Sequence, residues 1–342
     1  MKKFFTLLLA LGAAGYVLAE WRRPPERSVD EAFAKTVETL GGYLDRNYAD
    51  KKIFMRRDAH TKPHGCLRGE LNAIEDAAAF SAPPFGRPTK NLDVLIRFSN
   101  GQMFYQPDQE PDGRGAALKI FLDGANAQTL DFVMINDSRF FLRNSTDIFY
   151  FYDVLLSEGM TKYFLPDVWN PFTWRWRAMM IAAELGGATV NSVFEPHYYT
   201  MSAYHFGDDG DVKLRLANCS SASFAAHSAD PDYMRQDFLK RSASGEQCFQ
   251  LQIQRKPVGV DSDDASIKWD EKVSPYRNIA EIKFPAQDGA ALDKVCEAAS
   301  FSPDHVTNDI YPIGTLNEVR RRVYARQSAK RAEYNKTLEE RF

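Results

Sequence analysis

Two groups of side chains have types and spacings that allow chemistry. The first is RRDAHTKPHG, residues 56–65, where Arg57, His60, Lys62 and His64 crowd around Pro63. Imidazole exchanges protons near neutral pH, so a fixed histidine here suits general acid–base work. The second is LNEVRRRVYARQSAKRAEYN, where Arg320, Tyr324 and Arg331 fall at i, i+4 and i+11, close to one helical face. A guanidinium one turn away favours a phenolate, which is a hard anionic ligand suited to ferric iron. Taken alone, each pattern more often marks packing than chemistry: buried histidines are common, and a tyrosine in an arginine-rich helix usually packs. A zinc clamp by His60 and His64 is disfavoured. Pro63 discourages helix at Lys62, and no third ligand is near as in H-E-x-x-H.

Several elements must position these groups. Ser28 and Glu31 have capping-box spacing before a stripe of Phe33, Val37 and Leu40, which predicts a helix over 29–45. Residues 92–99 alternate Val94, Ile96 and Phe98 against Leu95, Arg97 and Ser99. Period-two stretches also occur at 117–122, 130–135, 212–217, 248–254 and 279–284, as in half-buried antiparallel strands. Aromatic-rich helical patterns span 147–160 and 172–187, and a long charged one spans 316–340. The pattern predicts an α+β fold around an antiparallel sheet or barrel, with flanking helices.

Six segments in order resemble those of the haem catalase superfamily: RRDAHTKPHG, IRFSNG (96–101), DGRGAALKIF (112–121), DFVMINDSRFFLRN (131–144), FSPDHVTND (301–309) and RRRVYARQSAKRAEYN. The chain is shorter than a full catalase and resembles the short catalase-like branch, which includes enzymes that rearrange fatty-acid hydroperoxides. The resemblance implies a β-barrel of the catalase type, a C-terminal proximal helix, and non-covalent haem b. It implies Tyr324 as iron ligand with Arg320 beside it, and His60 as distal acid and base oriented by Ser99. Arg57, Arg97 and Arg331 would pair with the propionates, and Phe98 and Phe141 would touch the ring. The implied activity is breakdown of hydrogen peroxide or organic hydroperoxides, a lipid hydroperoxide among them. The alternatives are rearrangement of fatty-acid hydroperoxides, or a barrel that carries haem or lipid without turnover. One position departs. Counted back from Phe140–Phe141, the family's distal asparagine falls on Ile135, so Asn136 can serve only if a β-bulge turns it to the other face.

Composition sets the outer bounds. A net charge of −3 offers no basic field for nucleic acid, and 44% apolar residues suit a packed core. Lys2 and Lys3 precede an apolar run over 4–19, which predicts a secretory signal over 1–19, with an uncleaved membrane anchor as the alternative. Residues 20–342 are then expected as one exported domain, periplasmic or held on the outer side of the inner membrane. Cys66, Cys219, Cys248 and Cys296 would meet oxidising conditions, where four cysteines allow three pairings. No CxxCH motif points to covalent haem attachment. The sequence carries no signal of oligomeric state.

Overall fold

Alternating strands wrap around a single apolar interior. The structure is a computed structural model that describes residues 23–339 apart from 50, 75–79, 81, 87–90, 123–127, 189 and 220–228. The expected leader over 1–19 lies outside the described residues. The strands are β1 (Pro63–Ala73), β2 (Leu92–Asn100), β3 (Arg114–Phe121), β4 (Thr129–Ile135), β5 (Tyr198–Tyr199), β6 (Tyr204–Phe206), β7 (Asp211–Asn218), β8 (Gln247–Arg255), β9 (Arg277–Phe284) and β10 (Ile310–Pro312). They pair antiparallel in the order β7-β5-β4-β3-β2-β1-β9-β8, and β8 pairs back with β7, closing an eight-stranded barrel. Short β6 and β10 extend from β7.

The alternation read from the sequence sorts side chains as expected. Val94, Ile96 and Phe98 of β2, Leu118 and Ile120 of β3, and Leu130, Phe132 and Met134 of β4 fill the barrel with no exposure. Their odd-numbered neighbours on β2 face outward. Against that outer face packs a helical layer: α1 (Val29–Tyr48), α2 (Ser145–Leu155), α3 (Met160–Phe164), α4 (Trp176–Gly187) and the C-terminal α7 (Thr315–Glu339). Leu40, Ile148, Phe151, Leu316, Val319 and Val323 form the second apolar cluster there. The capping box of Ser28 and Glu31 is present at the start of α1. Gly159, at φ +85°, separates α2 from α3, so the predicted helix over 147–160 is broken.

Several elements escaped the periodicity. Strand β1 begins at Pro63, within the histidine-bearing stretch, and helix α5 (Tyr233–Ser244) covers it. A Cβ on Gly65 would lie 1.9 Å from Phe238 Cε1, so the α5–β1 contact needs glycine there. Helix α6 (Asp293–Ala298) is tied to β1 by Cys66–Cys296, and Cys219 pairs with Cys248.

His64 belongs to this covered end of the barrel. It is fully buried, and its Nε2 lies 2.7 Å from Asn100 Oδ1. Around it, Asp108 takes Lys62 Nζ at 2.7 Å and the Asn100 amide at 3.2 Å, while Arg114 donates to Asn100 Oδ1 and to Asp108 O. Removing one partner of a buried ion pair strands the other charge. Asp108→Ala is therefore expected to destabilise the fold by about 3 kcal/mol or more, read as a lower urea midpoint at unchanged slope.

Candidate active site

A cavity of about 580 Å³ separates the outer face of β2–β4 from the helical layer. His60 enters it from the loop before β1, with its backbone at φ +53°, a conformation that costs a non-glycine residue about 1 kcal/mol or more. The surroundings hold it there. Its N–H donates to Gly101 O at 3.3 Å, and its carbonyl accepts from Arg97 Nη2 at 2.9 Å. Asp112 steadies the receiving loop by accepting from the backbone N–H of Gly101 at 3.2 Å. The ring is fixed too: Nδ1 lies 3.2 Å from Ser99 Oγ. A Cβ on Gly115 would sit 2.6 Å from Nδ1, so the imidazole lies against β3 only because that residue is glycine. Burial, reinforced by the Arg97 charge, pushes the His60 pKa down to about 4. The imidazole is neutral at ordinary pH and can take a proton.

Tyr324 reaches the same cavity from α7, together with Arg320, Gln327 and Arg331. The Arg320 guanidinium carbon is 5.8 Å from the Tyr324 ring centre. Its Nη1 donates to Asn317 Oδ1 at 2.9 Å and Ser202 Oγ at 3.4 Å, while its buried Nη2 has no partner. The rest of the cavity edge is cationic. Arg57 donates to the carbonyls of Cys296 and Ala299 and lies 2.9 Å from Glu297 Oε2. Glu297 is also 3.9 Å from Arg97, so one carboxylate serves two guanidiniums. Burial and the neighbouring Arg57 charge lower Arg97 to about 9, and burial first and Arg57 next lower Arg331 to about 10. Glu297 and Asp58 are the carboxylates that face these three arginines, and the set suits a ligand bearing further carboxylates.

Arg57, His60, Arg97, Ser99, Phe141, Arg320, Tyr324 and Arg331 thus line one cavity. Phe98 and Asn136 do not. Phe98 faces the barrel interior, 5.6 Å from Phe194 and 6.0 Å from Phe249 between ring centres, because neighbours on a strand point to opposite faces. The expected ring contact of Phe98 is therefore corrected. So is the distal-amide role of Asn136. β3 and β4 pair in unbroken register from Gly115↔Ile135 to Phe121↔Thr129, with no bulge. Ile135 faces the cavity, and the Asn136 side chain accepts from the Arg114 N–H at 2.7 Å. Sequence reasoning gave no role to Gly115, Asp112, Asn317, Ser202 or Glu297. Only Gly115 and Asp112 carried a signal, the Asp-Gly-Arg-Gly turn into β3; the others matter through contacts across the chain.

The buried imidazoles set a pH dependence. His60 is held down to about 4 from 6.5, and burial likewise lowers His64. Below about pH 6.5 the unfolded chain takes up these protons and the folded chain does not. Stability is expected to fall as pH drops from 6.5 toward 4, and His60→Gln should flatten part of that slope in urea titrations.

The fold has known counterparts. The chain is similar to a fungal catalase with a TM-score of 0.66 at 18% identity, over 86% of this chain and 62% of that one. It is similar to a bacterial catalase at 0.66 and 17%, over 86% and 60%, and to catalase A from Saccharomyces cerevisiae at 0.65 and 17%, over 86% and 64%. The chain therefore spans between 60% and 64% of the length of these structures. No protein-family profile and no curated protein matches it. The closed antiparallel barrel, its helical layer and the long C-terminal helix are those of the catalase fold.

Proposed function

We propose that the chain is an exported enzyme that binds haem b without covalent attachment and breaks down hydrogen peroxide or organic hydroperoxides. The observation that carries this reading is the meeting of His60, braced by Ser99, and Tyr324, beside Arg320, on one cavity. The residues fit such a group. Arg97 Nε and Arg320 Nη2 are buried donors without hydrogen-bond partners. Arg57, Arg97 and Arg331 would hold the propionates, and the Tyr324 oxygen would hold the iron. When bound, the haem supplies redox-active iron. The two disulfides support export to the periplasm or the outer side of the inner membrane.

The chain's own part is proton handling and access. The neutral His60 ring can take a proton from one peroxide oxygen and return it to the other, which departs as water or an alcohol. The two electrons that O–O cleavage requires come from the haem when it is bound. Ser99 keeps the ring in one orientation. Ile135 offers no hydrogen bond where an amide was expected. Phe151, Leu155, Met160 and Phe164 extend the apolar wall. Both features favour an organic hydroperoxide over hydrogen peroxide. They also favour the second reading, rearrangement of a fatty-acid hydroperoxide in the same site.

Protein reconstituted with haem is expected to give a high-spin ferric spectrum that Tyr324→Phe loses. His60→Ala should keep the haem but lose peroxide turnover by about a hundredfold or more. Unchanged turnover would make the barrel a carrier. Ile135→Asn should raise hydrogen peroxide turnover by about tenfold or more relative to an organic hydroperoxide, through a new donor at the cavity wall.

A further inference from the structure

The loop between α3 and α4 exposes an unusual set of side chains. Trp169 is 93% exposed and Val168 57% exposed, and Met180 one turn into α4 is 47% exposed. An isolated apolar residue on a surface needs no explanation, but a lone tryptophan so open beside others is uncommon. The loop is built, not loose. Asn170 caps the 3₁₀ turn Pro171–Thr173 through the Phe172 N–H. The Trp174 and Trp176 rings lie 4.6 Å apart, and their indole N–H groups donate to Asp167 O and Pro171 O, each at 2.9 Å. Arg175 is anchored on the Tyr163 ring at 4.4 Å. The Trp174 and Trp176 indoles thus have their polar atoms satisfied, and they belong to the same hydrogen-bonded loop as the exposed Trp169.

A second observation says what meets this face. Arg23 and Pro24, where the described chain begins, lie against Thr173, Trp174, Arg175 and Arg177 around a small cleft. The apolar run over 4–19 ends four residues before Arg23, with Glu20, Trp21 and Arg22 between. Four extended residues reach about 14 Å at most. Where the run over 4–19 is kept as an anchor, the bilayer it enters lies within about 14 Å of Arg23. Aromatic rings and arginines flanking an apolar segment are the side chains that settle at a membrane–water boundary. The opposite side of α3 and α4 is the cavity wall, through Met160, Phe164, Met179 and Ala183.

We infer that the loop over 165–177 docks on the surface of a phospholipid bilayer, with Val168 and Trp169 dipping into it, and that α3 and α4 thereby turn the cavity toward lipid. The docking does not depend on the peroxide reading. Its consequence, that the substrate is a hydroperoxide drawn from the bilayer, rests on that reading.

The test uses the full chain with vesicles of phosphatidylethanolamine and phosphatidylglycerol carrying brominated acyl chains. The emission difference between the native protein and Trp169→Phe isolates the signal of Trp169. Quenching of that signal by the brominated lipid is the expected result. A chain that binds vesicles with Trp169 unquenched, or does not bind them at all, overturns the inference. So does a Val168→Glu, Trp169→Glu variant whose only change is in oligomeric state, which would make the face a contact between copies. In the haem-loaded protein that double variant should lower turnover of a lipid hydroperoxide in vesicles by about tenfold or more and leave hydrogen peroxide turnover in solution unchanged. Absence of all turnover with Trp169 still quenched would sink the peroxide reading and leave the docking standing.

Discussion

In β2, β3 and β4 each side chain points either into the barrel or out toward the helices, and this two-residue period governs the site. Arg97 and Ser99 face out together because they are two apart; Phe98 between them must face in. Gly115 faces out opposite Ser99 in the β2–β3 pairing and leaves room for the His60 ring. Ile135, paired with Gly115, faces out beside it. Shifting β2 by one residue would put Phe98 in the cavity and Arg97 in the barrel. The apolar interior forbids that, so the hydrophobic core fixes the register of the polar site.

Arginines crowd one edge of the cavity. Arg57, Arg97, Arg320 and Arg331 line it, and Glu297 and Asp58 partly balance them. Burial makes these cations costly, and the costs show as lowered Arg97 and Arg331 pKa values and as donors without partners. The same burial keeps His60 neutral. A site that lowers the basicity of its imidazole and crowds its guanidiniums is prepared for an anionic guest. Folding alone gives no reason for the arrangement.

The helical layer has two faces with different tasks. Inward, α2, α3 and α4 close the cavity with phenylalanines and methionines. Outward, the turn joining α3 and α4 exposes Val168 and Trp169, and Trp174 shares a small cleft with Arg23 and Pro24. Cys66–Cys296 braces the other side of the cavity, since it ties β1 to the helix that bears Glu297.

Much of this was legible in the amino-acid order. Alternation identified six of the strands, capping and apolar spacing located α1, and the arginine–tyrosine pattern of α7 survived unchanged, because these are local properties of side-chain period and backbone hydrogen bonding. The alternation at 92–99 already separated Phe98 from Arg97, although the resemblance put both against the haem. The amino-acid order could not show that β1 starts at Pro63, which cysteines pair, or that Glu297 meets Arg57. Nor could it settle whether Asn136 turns toward the cavity. Those depend on how the barrel closes and where the chain's two ends meet. Register between strands and contacts across more than two hundred residues, as between Arg57 and Glu297, are settled by packing of the whole and leave no mark at single positions.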